Sequence, residues 1–286
     1  MTAVLWMLSS CAAFSFLNTI VKHLNYLPTW EVVFFRSIIN LCFFIPFAIP
    51  PKSLIKNWKK ELKFLILRGV SGCVSMALYF YAIEHMRLAE ATMLNYTSPI
   101  FVLIFSVLFL GERLSKKSLA FILVSFIGIA LVLKPDFHKS SNDLLASGAG
   151  MLSALTAATA YTFMSISTRY APPKFIVFTF ALVSTLISVI PMTRVFVMPT
   201  HHEFFLLFVA GCFATYAQMA MTNAYALLPA SVASPLSLAT VLFATTWGWL
   251  FWGETPDFWS ILGGCIVIVS LFGAYHYRFK KKPGVV

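Results

Sequence analysis

Of the 286 residues in this chain, 59% are hydrophobic and 11% are charged, against roughly 45–50% and 25% in soluble domains. Ten acidic residues and a formal charge of +11 leave too little polar surface to keep such a chain dispersed in water. Nucleic-acid binding is excluded by where the charge lies. The basic residues form short clusters between apolar runs, as in a membrane protein with cytoplasmic lysines.

Ten candidate spans follow one another, at about 3–22, 30–49, 64–84, 88–110, 117–134, 145–167, 174–193, 203–225, 230–252 and 258–277. Each holds about 18–23 residues, the length a helix needs to cross the hydrocarbon core of a bilayer. The first begins almost at Met1 without a basic leader or a small-residue cleavage site, so it reads as a retained helix. The fourth carries Pro99 just after Asn95, Tyr96, Thr97 and Ser98, and stops at Gly111-Glu112-Arg113. The ninth stops the same way, at Gly253-Glu254. Connections are short, which excludes a separate soluble catalytic or signalling module.

Lys and Arg in the connections set the expected orientation. With the N-terminus inside, the cytoplasmic side holds Lys52, Lys56, Lys59, Lys60, Lys63, Arg113, Lys116, Lys117, Arg169, Lys174, Arg278, Lys280, Lys281 and Lys282. The other side holds only Lys22, Arg87, Lys134, Lys139 and Arg194. Both termini are therefore expected in the cytoplasm. Cys11, Cys42, Cys73, Cys212 and Cys265 all fall inside apolar runs with no close pair, so neither a metal motif nor a disulfide framework is expected.

The chain repeats itself. Met7-Leu8-Ser9 matches Met151-Leu152-Ser153. Tyr81-Ala82-Ile83 with Ala89 matches Tyr225-Ala226-Leu227 with Ala233, and Gly111-Glu112 matches Gly253-Glu254. The halves are 1–134 and 145–280, with five spans each. Five is odd, so the second half enters the membrane the other way up. The expected fold class is an all-α integral membrane protein, ten transmembrane helices as two inverted five-helix repeats. Secondary transporters use this plan with substrate held near the midplane between the repeats.

Several stretches carry a family resemblance: FFRSIINL around Arg36, LRG at 67–69, YAI followed by LAEA, LNYTSP, and LGERLS closing the fourth span. With the ten-span plan they resemble the drug/metabolite transporter superfamily, EamA-type, over nearly the whole chain. The second half departs from the pattern, since no proline matches Pro99 and Pro235 lies earlier. The resemblance implies a carrier of small metabolites in a bacterial inner membrane, amino acids or derivatives such as S-adenosylmethionine. The expected partners are that substrate and the lipid bilayer, the expected state is a monomer or weak homodimer, and no cofactor is implied.

Polar side chains inside spans either bond a neighbouring helix or line an aqueous cavity. Stripes at helical spacing are Cys11, Ser15, Asn18 and Lys22; Arg68, Gly72, Ser75 and Tyr79; Ala157, Tyr161 and Ser165; and Thr215, Gln218 and Thr222. Candidate substrate-binding residues are Asn18, Ser75, Tyr79, Asn95, Tyr96, Tyr161, Ser165, Gln218 and Ser237. Asn18, Asn95, Gln218 and Asn223 are the most informative, because an amide is not satisfied by its own helix. The tyrosines could stack a planar or cationic group. Pro99 and Arg36 are candidates for gating or a hinge. Arg36 reads in two ways: paired with Glu31 or carbonyls, or attracting a carboxylate substrate. Arg68 reads as interfacial.

All ten acidic residues lie at span ends or in loops, so the midplane carboxylate of a proton-coupled antiporter is missing. Facilitated diffusion or exchange is expected over proton-coupled drug efflux. Glu112 and Glu254 read as helix-end anchors. A membrane enzyme would need a His, Asp or Glu cluster, and no HxxxH, HExxH or DxxD pattern occurs. A scaffold has little use for polar faces in both halves.

Overall fold

The computed structural model of the chain describes residues 2–24, 26–50, 58–85, 88–112, 115–133, 144–252 and 257–277. The loop residues Lys52, Lys56, Arg87, Arg113, Lys134, Asp136, Lys139 and Asp143 lie outside them, as do Gly253-Glu254 and the basic residues from Arg278 to Lys282.

Helices form all ten expected spans, and no strand occurs among the described residues. They are α1 (Thr2–His23), α2 (Thr29–Phe44), α3 (Trp58–His85), α4 (Leu88–Asn95 and Ser98–Leu110), α5 (Lys116–Leu133), α6 (Leu144–Ser167), α7 (Pro173–Val195), α8 (His201–Leu227), α9 (Ala230–Leu236 and Thr240–Trp252) and α10 (Phe258–His276). Each is long and apolar enough to cross a bilayer. Helix is the form that lets a single segment satisfy its own backbone in lipid. Isoleucine, leucine, valine and phenylalanine stay exposed along the outer faces, as at Leu108, Phe109, Ile190, Val269 and Phe272, which suits a hydrocarbon solvent.

The two halves exchange packing partners. α3 lies on α6 as α1 lies on α8, and α3 meets α7 as α2 meets α8; α2–α7, α4–α9 and α5–α10 pair across the halves. Side-chain bonds agree with spans of alternating direction. The Glu112 carboxylate, just past the end of α4, accepts from the N–H groups of Ala230 and Ser231 at 3.0 Å each. That puts the end of α4 beside the start of α9. Glu31, in the first turn of α2, accepts from the Val197 N–H at 3.1 Å, just past the end of α7. Gly111, with φ of +67°, allows the turn that aims Glu112.

Two spans are broken, at matching places. In α4 Pro99 has no N–H for the Asn95 carbonyl, and the Ile100 N–H turns to the Thr97 carbonyl at 3.0 Å. The Thr97 N–H and hydroxyl both turn back to the Leu94 carbonyl, at 3.1 and 2.7 Å. In α9 Pro235 withholds an N–H from Ser231, and a tight turn at Ser237–Ala239 follows. The prolines occupy different positions, one just after its break and one just before. The break itself is common to both halves, although the sequence pairs only Pro99 with a midspan interruption.

Candidate functional site

A cavity of about 140 Å³ lies between the halves, room for on the order of five waters or for a molecule the size of an amino acid. α1, α3 and α4 of the first half build one side, and α6, α8 and α9 of the second build the other. Arg36 of α2 and Phe180 of α7 complete it.

Of the nine expected substrate-binding residues, eight line this cavity: Asn18, Ser75, Tyr79, Asn95, Tyr96, Tyr161, Gln218 and Ser237. The stripe on α3 is the most complete, since Arg68, Gly72, Ser75 and Tyr79 all contribute. Ser165 does not line it. It lies one turn beyond Tyr161, is 6% exposed, and its carbonyl takes the Thr168 hydroxyl at 2.8 Å. The helix carries it below the cavity wall into packing. Thr215 and Thr222 likewise bond carbonyls one turn back, at 2.7 Å each.

Arg68 corrects the sequence reading. Instead of reaching an interface it is 3% exposed and lies in the cavity wall. Its Nη2 donates to the Gln218 side-chain oxygen at 3.1 Å, and its guanidinium lies over the Phe180 ring at 4.3 Å from the centroid. Nε is buried without a partner. Gly72 makes this geometry possible. A Cβ there would collide with the Arg68 guanidinium and would sit 2.9 Å from the Phe180 ring. The signal that could have found Arg68 was its place on the α3 stripe; its nearness to the cytoplasmic end of the span outweighed that.

Arg36 is 8% exposed and also faces the cavity, with its guanidinium 6.0 Å from the Phe14 ring centroid. The expected pairing with Glu31 is absent, because the Glu31 carboxylate turns away to Val197. Arg36, expected as a gate or hinge, lies in the wall of the cavity. Tyr161, in the same wall, stacks on Tyr225 at 5.8 Å.

The amides divide between wall and packing. Asn95 does both: it lines the cavity, and its Nδ2 donates to the Ser153 hydroxyl of α6 at 2.9 Å. Ser75 donates to the Ser153 carbonyl at 2.9 Å, so one point of α6 ties α3 and α4 together. The Tyr79 and Thr92 hydroxyls bond at 3.1 Å, and Ser237 donates to the Ser234 carbonyl at 2.7 Å. Pro99 is buried beside the break, where its neighbour Ser98 reaches the cavity.

Among the described residues no acidic side chain lines the cavity, and none gathers with His or Cys as a metal site. Burial increases from the partly buried Asn18, Tyr79 and Asn95 to Arg68 and Gln218. Beyond these, Leu65, Met164 and Tyr225 pack into a large apolar cluster.

This arrangement has known counterparts. The model of the EamA-like transporter family matches residues 1–134 and again 144–275. The chain belongs to the EamA-like transporter family. The pseudopaline exporter of Pseudomonas aeruginosa is 36% identical over 260 residues, 90% of each chain. An S-adenosylmethionine uptake transporter of Rickettsia bellii is 25% identical, over 94% of this chain and 92% of its own. Human solute carrier family 35 member G1 is 26% identical, over 93% of this chain and 77% of its own. A solved crystal structure superposes with a TM-score of 0.76 at 18% identity, over 96% of this chain and 97% of the other, a likeness of fold. This EamA-family chain is a multi-pass membrane transporter, and its cavity lies between its two halves.

Proposed function

We propose that the chain is a secondary carrier for a small polar organic metabolite bearing a carboxylate, an amino acid or amino-acid derivative. It works by alternating access in a bacterial inner membrane, with both termini cytoplasmic. The observation that carries this reading is the pair Arg36 and Arg68, two buried guanidiniums on one amino-acid-sized cavity with no acidic residue among its described walls. A guanidinium fork matches a carboxylate in charge and geometry, and the ring faces of Tyr79, Tyr96 and Tyr161 suit an organic body. The matching breaks in α4 and α9 meet the wall at Ser98 and Ser237, where exchange between two pseudo-equivalent packings would open one face and close the other.

One relative is named an S-adenosylmethionine uptake transporter, which supports an amino-acid derivative as cargo, and another is named an exporter, so direction is left to the individual protein. S-adenosylmethionine carries one carboxylate against a sulfonium and an ammonium, so two guanidiniums favour less cationic cargo. The test is counterflow in liposomes containing the purified chain, preloaded in turn with acidic, neutral and aromatic amino acids and S-adenosylmethionine. Accumulation of a labelled carboxylate-bearing compound, lost in Arg68→Gln, is expected. Uptake of S-adenosylmethionine alone, unchanged by Arg68→Gln, would contradict the reading.

A further inference from the structure

We infer that the substrate presents two anionic groups to this cavity, one for each guanidinium, with Arg68 as a fixed receptor and Arg36 as a free one. The inference rests on the carboxylate-carrier reading and adds the number and placement of the charges.

The argument is one of neutralisation. A guanidinium cannot shed its proton at any ordinary pH, so burial leaves the charge in place and some anion must face it. Four acidic residues at the span ends are engaged elsewhere. Glu31 accepts from Val197, Glu112 from Ala230 and Ser231, Glu203 from Thr200, and Glu84 from the Thr29 hydroxyl. None of them lines the cavity. Two like charges on the wall of one cavity also repel each other, and that repulsion is relieved fully only when both are matched.

The two ends differ in preparation. Arg68 is held by the Gln218 oxygen and the Phe180 ring, with Gly72 giving it room and its Nε left over. Its fork is therefore oriented before the ligand arrives. Among the described residues Arg36 meets the Phe14 ring at 6.0 Å and no fixed hydrogen-bond acceptor, so it can follow the second anionic group. A ligand with two carboxylates on a short carbon skeleton uses both, whereas a ligand with one leaves a buried guanidinium unmatched.

The experiment is thermal unfolding of the purified full-length chain at fixed ionic strength with glutarate, with its monoamide 4-carbamoylbutyrate, and with the cation cadaverine. Glutarate at ten times its Kd is expected to raise the midpoint by about 3 °C, and the monoamide at the same concentration by a small fraction of that. Arg36→Gln and Arg68→Gln should each bring glutarate down to the monoamide's effect. Arg68→Lys keeps the charge and should keep part of the preference, which covers the case that Arg68→Gln fails to fold. Equal shifts with glutarate and the monoamide would overturn the two-anion inference and leave the carboxylate reading standing. Stabilisation by cadaverine alone, or by none of the three, would overturn both.

Discussion

The Arg68 guanidinium donates to the side-chain oxygen of Gln218 at 3.1 Å, joining α3 of the first half to α8 of the second across the cavity wall. This bond has a neutral acceptor, so it orients the charge without cancelling it. Replacing the acceptor by a carboxylate would cancel it. Gln218→Glu is expected to fold at least as well as the parent and to lose anion binding by more than tenfold, about 1.4 kcal/mol or more. Thermal unfolding and counterflow, measured on the same preparation, check the two halves of that statement.

Gly72 lies where any side chain would strike the Arg68 guanidinium. In Gly72→Ala the guanidinium must swing off the Phe180 ring. Transport should drop roughly tenfold while the amount of folded protein is nearly unchanged, since an alanine stabilises a helix interior by about 1 kcal/mol relative to glycine. Size-exclusion profiles beside initial rates separate displaced charge from misfolding.

Asn18 and Asn95 should behave differently although both line the cavity. Asn95 spans to the Ser153 hydroxyl at 2.9 Å, an interhelical bond of the kind worth about 0.6 kcal/mol and up to roughly 2 in membranes. Asn95→Ala therefore lowers the unfolding midpoint, and Ser153→Ala does the same. Asn18→Ala lowers transport and leaves the midpoint in place. The comparison is one set of melting curves with matched uptake assays.

Glu112 supplies two acceptors to the N–H groups at the start of α9 that have no partner within the helix, where a negative charge also suits the helix dipole. Glu112→Ala should cost about 1–2 kcal/mol. Glu112→Gln, which keeps one acceptor, should cost less. Denaturation of the detergent-solubilised protein orders the three.

Exchange should outrun net flux. An empty carrier that closes takes two unmatched guanidiniums into a low-dielectric enclosure, a cost of about 3 kcal/mol or more, whereas a loaded one does not. Efflux of labelled substrate into buffer with unlabelled substrate should therefore be roughly 100-fold faster than into buffer without it. Parallel efflux curves decide it.

Much of this was legible in the sequence. The spans emerged because a bilayer imposes a length and forbids unsatisfied backbone, and both constraints act on local composition. The repeat was visible in short matches such as Met7-Leu8-Ser9 with Met151-Leu152-Ser153, and five of the eight expected residues that line the cavity, Asn18, Ser75, Tyr79, Tyr161 and Gln218, followed from stripes at helical spacing. Arg68 was misjudged because distance from a span end measures depth along one helix, whereas burial depends on what packs against it. For Arg68 that means Phe180 and Gln218, more than a hundred residues away. Ser165 failed for the converse reason, since its stripe continued past the point where the cavity ends. The break in α9 was hidden because Pro235 does not align with Pro99, yet either placement interrupts the same ladder.

The most direct test of the central claim is counterflow in liposomes, comparing the parent chain with Arg68→Gln and Arg36→Gln for one labelled acidic amino acid, glutamate. The account predicts accumulation driven by unlabelled glutamate inside with no imposed ion gradient, and loss of most of it in either variant. Undiminished counterflow in both variants would contradict it, because the cavity would then be recognising its cargo without the two charges that define it.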